Sequence, residues 1–541
     1  MHKRLLNFLC LLLLNCLLAC QTAVPLPTSA PTPIALETPL SATAESTPIP
    51  TSTLVSSPTL IPTLPTATAA PTLPSPTAPP RLNLTIAAPP TLAEILNSIL
   101  TNFQADWDWQ FITLDDPEQA LADGRAQFAL AEGSNGILIH QEAIILAVPF
   151  TTDWETVSLE EAQAILASGD ERVTITTWNS LIPSQKALRV NGRHPTEPDY
   201  PLQQRWSLLT AEGYQTAANT LATRLFAAWP QTSVIHLVAV GDVMLDRSLG
   251  FALQRDELEY PFNGVAEQLR SADITVGNVE SSLGNIGQPA TKSYTFRAPP
   301  QAAPSLALAG FDVVSLANNH GMDYGPETLI QGIQLLREAK VEPVGAGANL
   351  QEARTAAIRE VNGLKLAFLG YVNVPVEGRG FDTETWTATS DSPGLAWAKP
   401  EWITEDVTTV RSQADLVVVI LHSGYEYIEN PSPPQTAAAQ AAIEAGADLV
   451  LGHHAHILQG IQFSEEDGVI VYGLGNFAFE IDGPPETMIL NAWLDASGVK
   501  QLEIVPVIIR FGGQPRLAEP WEAYPIRQNI YRLTNQLNPS P

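Results

Sequence analysis

Three histidines crowd one short stretch, Gly452-His453-His454-Ala455-His456, directly after the apolar run Ala447–Leu451. An apolar run of that length, bounded by glycine, reads as a buried strand. Neutral imidazole is the commonest protein metal ligand. The spacing of His454 and His456 can aim two rings from one loop at neighbouring metal positions, while His453 is expected to face solvent. A solvated polar turn is the alternative reading of the stretch. Other apolar runs end in further N and O groups. Val234–Val240 leads into Gly241-Asp242-Val243-Met244, where a carboxylate suits a metal or a helix cap. Ala272–Asn278 leads to Glu280, Phe311–Ala317 to Asn318, Asn319 and His320, and Ala414–Leu421 to His422. Val469–Phe477 carries a Gly-Leu-Gly turn and Asn476. Strand ends are where α/β sheets put their active sites.

Outside this set the candidates are weaker. Arg297, in Ser293-Tyr294-Thr295-Phe296-Arg297, could grip a substrate carboxylate or phosphate bidentately or form a surface ion pair. Glu426 could support His422 or simply be exposed. His140 and His194 are single histidines read as structural. The helix expected over Pro326–Lys340 is ordinary amphipathic packing.

The elements that position these residues follow from the chain's organisation. At 541 residues there is room for two or three domains. The first twenty residues join a basic start, Met1-His2-Lys3-Arg4, to an apolar segment too short for a confident membrane span. The segment ends in Leu17-Leu18-Ala19-Cys20, which resembles a bacterial lipoprotein lipobox. That resemblance implies cleavage before Cys20, lipidation of its thiol, and export to the outer face of a bacterial membrane. All three cysteines (Cys10, Cys16 and Cys20) lie in this segment, so the mature chain has no internal disulfide. Residues 21–80 are rich in Pro, Thr, Ser and Ala, hold no Lys or Arg, and read as an extended tether.

Residues 81–230 alternate strand and helix signals and resemble, in two patches, periplasmic solute-binding proteins of the phosphate-binding type, in shortened form. The patches are Ala147–Leu166 and Tyr200–Trp206. Residues 232–515 carry the chemistry, and 516–541 are expected as a C-terminal tail. The formal charge of −29 argues against nucleic acid and anionic lipid as partners. An anionic substrate has to be drawn by bound metal or by individual arginines.

Taken together, the motifs GDVM, GNVE, ANNH, LHSGYE, GHHAH and GLGNF resemble the CapA family of capsule or poly-γ-glutamate biosynthesis proteins, within the calcineurin-like metallophosphatase superfamily. The resemblance implies a four-layer α/β/β/α sandwich with a two-metal site, preceded by the smaller α/β domain. It implies Asp242 and His456 on one ion, Asn319, His422 and His454 on the other, Glu280 bridging, and His320 as general acid. Two such ions can activate water and stabilise a developing oxyanion. The N/O ligand set suits Mn, Fe or Zn. Arg297 and Asn476 are the expected substrate contacts. Two departures from the superfamily pattern stand out: Met244 replaces an imidazole, and Glu280 replaces a bridging Asp, both as CapA proteins show. Ser423 stands where the family often has Trp.

The function expected is that of a lipid-anchored envelope protein with a metal-dependent hydrolase-like domain. It would act on an anionic envelope polymer, or on a phosphate- or carboxylate-bearing small molecule, beside the capsule synthesis machinery. Two alternatives are a non-catalytic polymer-handling protein and a small-anion sensor built on residues 81–230. The anchor has a direct test. Cys20→Ser should move the protein from the membrane fraction to the soluble fraction. Retention of the variant in the membrane would make the apolar segment itself the anchor.

Overall fold

Several strands of the C-terminal domain are mainly apolar and are buried at every position, among them Ile274–Val279, Leu416–Ser423 and Leu449–His453. Such strands belong in parallel sheets covered on both faces. The computed structural model describes residues 81–101, 107–133, 135–465, 468–480 and 483–539. The signal segment with Cys20 and the tether of residues 21–80 lie outside the described residues.

Two sheets form the centre. The first runs Glu342–Val344, Val313–Ser315, Ile274–Val279, Ile235–Val243, Glu486–Asp495, Gly498–Ile509 and Pro515–Leu517. Its first four strands are parallel and the rest antiparallel. The second runs Ala357–Val361, Leu364–Asn373, Leu416–Ser423, Leu449–His453, Val469–Val471 and Ile461–Phe463, with antiparallel strands only at its edges.

Strand residues alternate between faces, and the alternation builds the layers. Leu237 and Val276 of the first sheet meet Phe368, Val418 and Leu451 of the second in one core. Val238 and Val240 point the other way, onto Leu249, Leu306, Leu329 and Ile333 from the helices Arg247–Leu253, Ala302–Ala309 and Pro326–Glu338. Val417 and Val419 face Ile403, Val407 and Ala439 from the helices Pro400–Arg411 and Pro433–Glu444. The result is the expected four-layer α/β/β/α sandwich. All the parallel strands bring their C-terminal ends to one side.

Residues 81–230 form a smaller α/β unit. Its sheet runs Trp107–Thr113, Leu82–Ala88, Phe128–Glu132, Gln203–Thr210, Ile137–Pro149 and Thr174–Thr177. A capping box of Ser158 and Glu161 closes the start of the helix Leu159–Ser168. The unit is fastened to the sandwich by polar contacts from its later strands. Trp178 donates to Asp495 at 3.0 Å, Arg189 binds Glu503 at 2.9 Å, and the buried Lys186 reaches Tyr531 at 3.1 Å. Trp493 is held between the rings of His194 at 4.0 Å and His236 at 4.7 Å. His140 stacks on Trp229.

The segment expected as a tail is structured. Pro520–Leu537 is a helix that buries Ala523, Ile526, Ile530 and Leu533, a helical spacing the reading of the chain passed over. Thr534 and Asn538 bond the backbone of Ile461 and Phe463 and so cover an edge strand.

Burial, then the charge of Arg189, push the His194 imidazole down to about 3. Its ordinary value is 6.5, so the unfolded chain takes up a proton first as pH falls. The stability of the neutral buried ring is complete above about 6.5 and is lost between there and about 3. The loss should reach about 2 kcal/mol by pH 5. His194→Phe, which keeps a ring on Trp493, should show a smaller drop in urea midpoint between pH 7 and pH 5 than wild type. Equal drops would refute the assignment.

Candidate metal centre

Asp242 sits near the end of the first parallel strand, where Gly241 lets the turn at Gly475 close on that strand and Gly452 lets two neighbouring strands of the second sheet come together. A Cβ on Gly241 would collide with the carbonyl oxygen of Gly475, and one on Gly452 with that of Tyr472. The turn at Gly475 then bonds the strand on both sides of Asp242, and Phe477 N–H donates to its carbonyl. Asp242 is wholly buried. Its carboxylate accepts from Asn278 Nδ2 at 2.8 Å, from the His454 backbone N–H at 3.1 Å, and from His453 Nδ1 at 3.0 Å. Burial alone would raise its pKa. The hydrogen bond and charge of His453, with the charges of His422 and His456, outweigh burial and hold the carboxyl far below its usual range.

His453 therefore does not face solvent. It is buried, because the strand Leu449–His453 is covered on both faces and pairs His453 with His422. Beyond it the chain turns sharply: His454 has φ 86° and His456 φ 58°. Two non-glycine residues in the left-handed region cost roughly 1–3 kcal/mol each and tend to mark functional sites. Here the strained backbone presents two rings from one loop. Asn476 fixes one of them, its Oδ1 accepting from His456 Nδ1 at 2.8 Å, so Nε2 of His456 faces Glu280 at 3.8 Å. The structure thus places Asn476 as a support for His456.

His422 ends the strand Leu416–Ser423 and is wholly buried. Asn278 Nδ2 donates to its Nδ1 at 3.2 Å, and its Nε2 lies 2.7 Å from Asn319 Oδ1 and 3.9 Å from Glu280. Burial and then His454 push His422 well below the ordinary range; burial and then His456 push His454 down to about 3. Both rings are neutral at physiological pH, the form a metal needs.

Glu280 stands in the middle. It is wholly buried, and neither carboxylate oxygen has a hydrogen-bond partner among the described residues. Burial and then the charge of Asp242 raise its pKa well above the usual carboxylate range. His454 Nδ1 is likewise buried and unpartnered. Orphaned buried acceptors of this kind call for a cation. Donor atoms of Asp242, Glu280 and His422 lie within 4.8 Å of one another, as do those of Glu280, His454 and His456. Glu280 is common to both groups. The grouping differs from the implied one: His456 falls with His454, because Asn476 occupies its Nδ1, and His422 falls with Asp242. The donors fit one or two borderline divalent ions.

His320 stands beside the groups. Its Nδ1 is 2.7 Å from Asp323 Oδ2, and its Nε2 is 4.0 Å from Glu280. Met244 packs with Phe296 and Phe479, and its sulfur accepts from Asp246 N–H at 3.4 Å. Arg297 lies over the Tyr324 ring at 4.3 Å and reaches the Ile286 carbonyl. Glu426 is exposed. Sequence reasoning missed Asn278, His453, Asp323, Lys292 and Glu377. Asp323, three residues after His320, had a readable spacing, whereas Lys292 and Glu377 come from separate loops.

A carboxylate isolated in this way should destabilise the metal-free protein. After chelator treatment, Glu280→Met should raise the unfolding free energy by on the order of 1–3 kcal/mol, measured by denaturant titration, and should abolish any stabilisation by added metal. A less stable metal-free variant would contradict the picture of an unsatisfied Glu280.

Residues 236–481 match the family described as bacterial capsule synthesis protein PGA_cap. The chain is 32% identical over 288 residues to the capsule biosynthesis protein CapA of Bacillus anthracis, covering 51% of this chain and 68% of that protein. It is 31% identical over 282 residues to the PGA biosynthesis protein CapA of Bacillus subtilis (strain 168), covering 51% and 72%. A putative 5'-nucleotidase from Staphylococcus aureus, solved with alpha-ketoglutarate, is similar at a TM-score of 0.30 and 15% identity over 56% of this chain and 58% of that one. A likeness that weak leaves the layers to be read from the strands themselves. With the extent of the two Bacillus matches, the chain belongs to the CapA family of bacterial capsule synthesis proteins.

Proposed function

We propose that this protein works in the synthesis of a capsule or of poly-γ-glutamate, as a metal-dependent hydrolase held at the cell envelope by lipidated Cys20. The substrate class proposed is an anionic envelope polymer, or a precursor bearing phosphate or carboxylate. The names of the two Bacillus relatives support the process. The observation that carries the chemistry is Glu280, buried with both oxygens free among His422, His454 and His456.

Asp242, Glu280, Asn319, His422, His454 and His456 would hold two divalent ions, Mn, Fe or Zn. When bound, such ions supply Lewis acidity and an activated water. The chain's own residues do the rest. Asn278 and His453 hold Asp242 in place, and Asn476 turns the His456 ring inward. Asp323 keeps a proton on His320 Nδ1, so Nε2 faces the site and can exchange a proton with a leaving group. With a formal charge of −29, the chain relies on the ions to attract an anionic substrate.

A second reading, non-catalytic handling or export of the polymer, is favoured by Met244, which fills with packed thioether the place of an imidazole. One comparison separates the two. Protein purified without chelator should hold metal by elemental analysis and cleave a member of a phosphoester and γ-glutamyl amide panel. His454→Ala should lose most of the metal and that activity. It should also lose the stability that bound metal adds, about 2.7 kcal/mol at a hundredfold excess over Kd. His140→Ala should keep its metal. Metal-free wild type after offering Mn, Fe and Zn, with a His454→Ala protein that melts like its parent, would leave the non-catalytic role.

A further inference from the structure

The cation that the loop before Phe296 sends into the site is Lys292, five residues ahead of Arg297. Its side chain is completely buried. Nζ donates to the Asn319 carbonyl at 2.6 Å and to Glu377 Oε1 at 2.7 Å, and lies 3.5 Å from His320 Nδ1. It also forms an ion pair with Asp323 Oδ1 at 2.8 Å, outside hydrogen-bond angles. The rings of Trp386 and Phe381 close over it at 5.1 and 5.8 Å.

Each carboxylate that Lys292 holds also contacts a residue of the metal centre. Asp323 Oδ2 takes the His320 ring at 2.7 Å and accepts from the Phe296 backbone N–H at 2.7 Å. Glu377 Oε1 accepts from Asn319 Nδ2 at 2.7 Å, which turns Asn319 Oδ1 toward His422. Glu377 belongs to a two-stranded ribbon, Val376–Glu377 with Phe381–Asp382, so the amide of Asn319 is oriented from a loop far along the chain. Without the ammonium, the buried Asp323 and the part-buried Glu377 would be two carboxylates left around one vacated cation position, an arrangement that like-charge repulsion disfavours.

We infer that Lys292 is the positioning residue of this site, setting through Glu377 the ligand oxygen of Asn319 and through Asp323 the orientation of His320. The inference rests on the metal reading proposed above. It assigns the centre two supports, Lys292 and Glu377, that act without touching the ions. Supporting groups of this kind are typically worth 10- to 100-fold in metal affinity.

The test is the Mn(II) dissociation constant, measured by calorimetry on full-length wild type, Lys292→Met and Glu377→Gln, with melting temperatures recorded alongside. Both variants should bind Mn(II) roughly 10- to 100-fold more weakly. A crystal structure of Glu377→Gln should show the Asn319 amide or the His320 ring turned from its wild-type direction. Lys292→Met leaves two carboxylates without their cation and can fail to fold. Glu377→Gln keeps the size and shape of the side chain, so it decides the question alone in that case. Variants that melt lower yet bind Mn(II) as wild type does would reduce Lys292 to a packing role and overturn the inference while leaving the metal reading intact. Wild type that binds no metal would overturn both.

Discussion

One carboxylate sets the terms for this domain. Glu280 is buried where the ends of two sheets meet, and none of the described residues donates a hydrogen bond to its oxygens. A carboxylate is costly to ionise in such a place, and burial, then the charge of Asp242, raise its pKa well above the usual range. The rest of the site is arranged so that a cation can offset that cost. The Nε2 atoms of His320, His422 and His456 lie 4.0, 3.9 and 3.8 Å from Glu280 Oε1. Asp242 is satisfied by three donors and so stays ionised beside it.

That arrangement depends on how closely the layers approach. Gly241 and Gly452 each precede a candidate ligand segment, and each lies where a side chain would strike backbone from a neighbouring strand or turn. The left-handed residues His454 and His456 follow from the same crowding, because the loop must turn both rings inward within three residues. Local strain is tolerated here because the parallel strands behind it are buried at every position. The smaller α/β unit is bound to the opposite, antiparallel part of the first sheet, through Asp495, Gln501 and Glu503. At that contact Trp493 is clasped between two histidines.

Much of this was legible in the chain. Continuous apolar runs gave the parallel strands, and polar residues at their ends gave Asp242, Glu280, Asn319, His320, His422, His454 and His456. Three things were not legible, each for a physical reason. A strand's end is not marked in sequence, so His453 read as a loop residue although the strand includes it. Supporting contacts between distant loops, such as Lys292 with Glu377, leave no spacing to read. The last helix reads as a tail because its polar residues obscure an apolar stripe from Ala523 to Leu533. Arg297 stands out in sequence by residue type alone, and its guanidinium lies over the Tyr324 ring.

The reading to test is that Glu280, common to the donor groups of Asp242 with His422 and of His454 with His456, would be shared by two divalent ions when they bind. Anomalous diffraction from crystals grown with Mn(II), with data on both sides of the metal edge, tests it directly. The account requires two peaks flanking the Glu280 carboxylate, one reached by His422 and Asp242 and the other by His454 and His456. A single peak remote from Glu280, or none at saturating Mn(II), would contradict it.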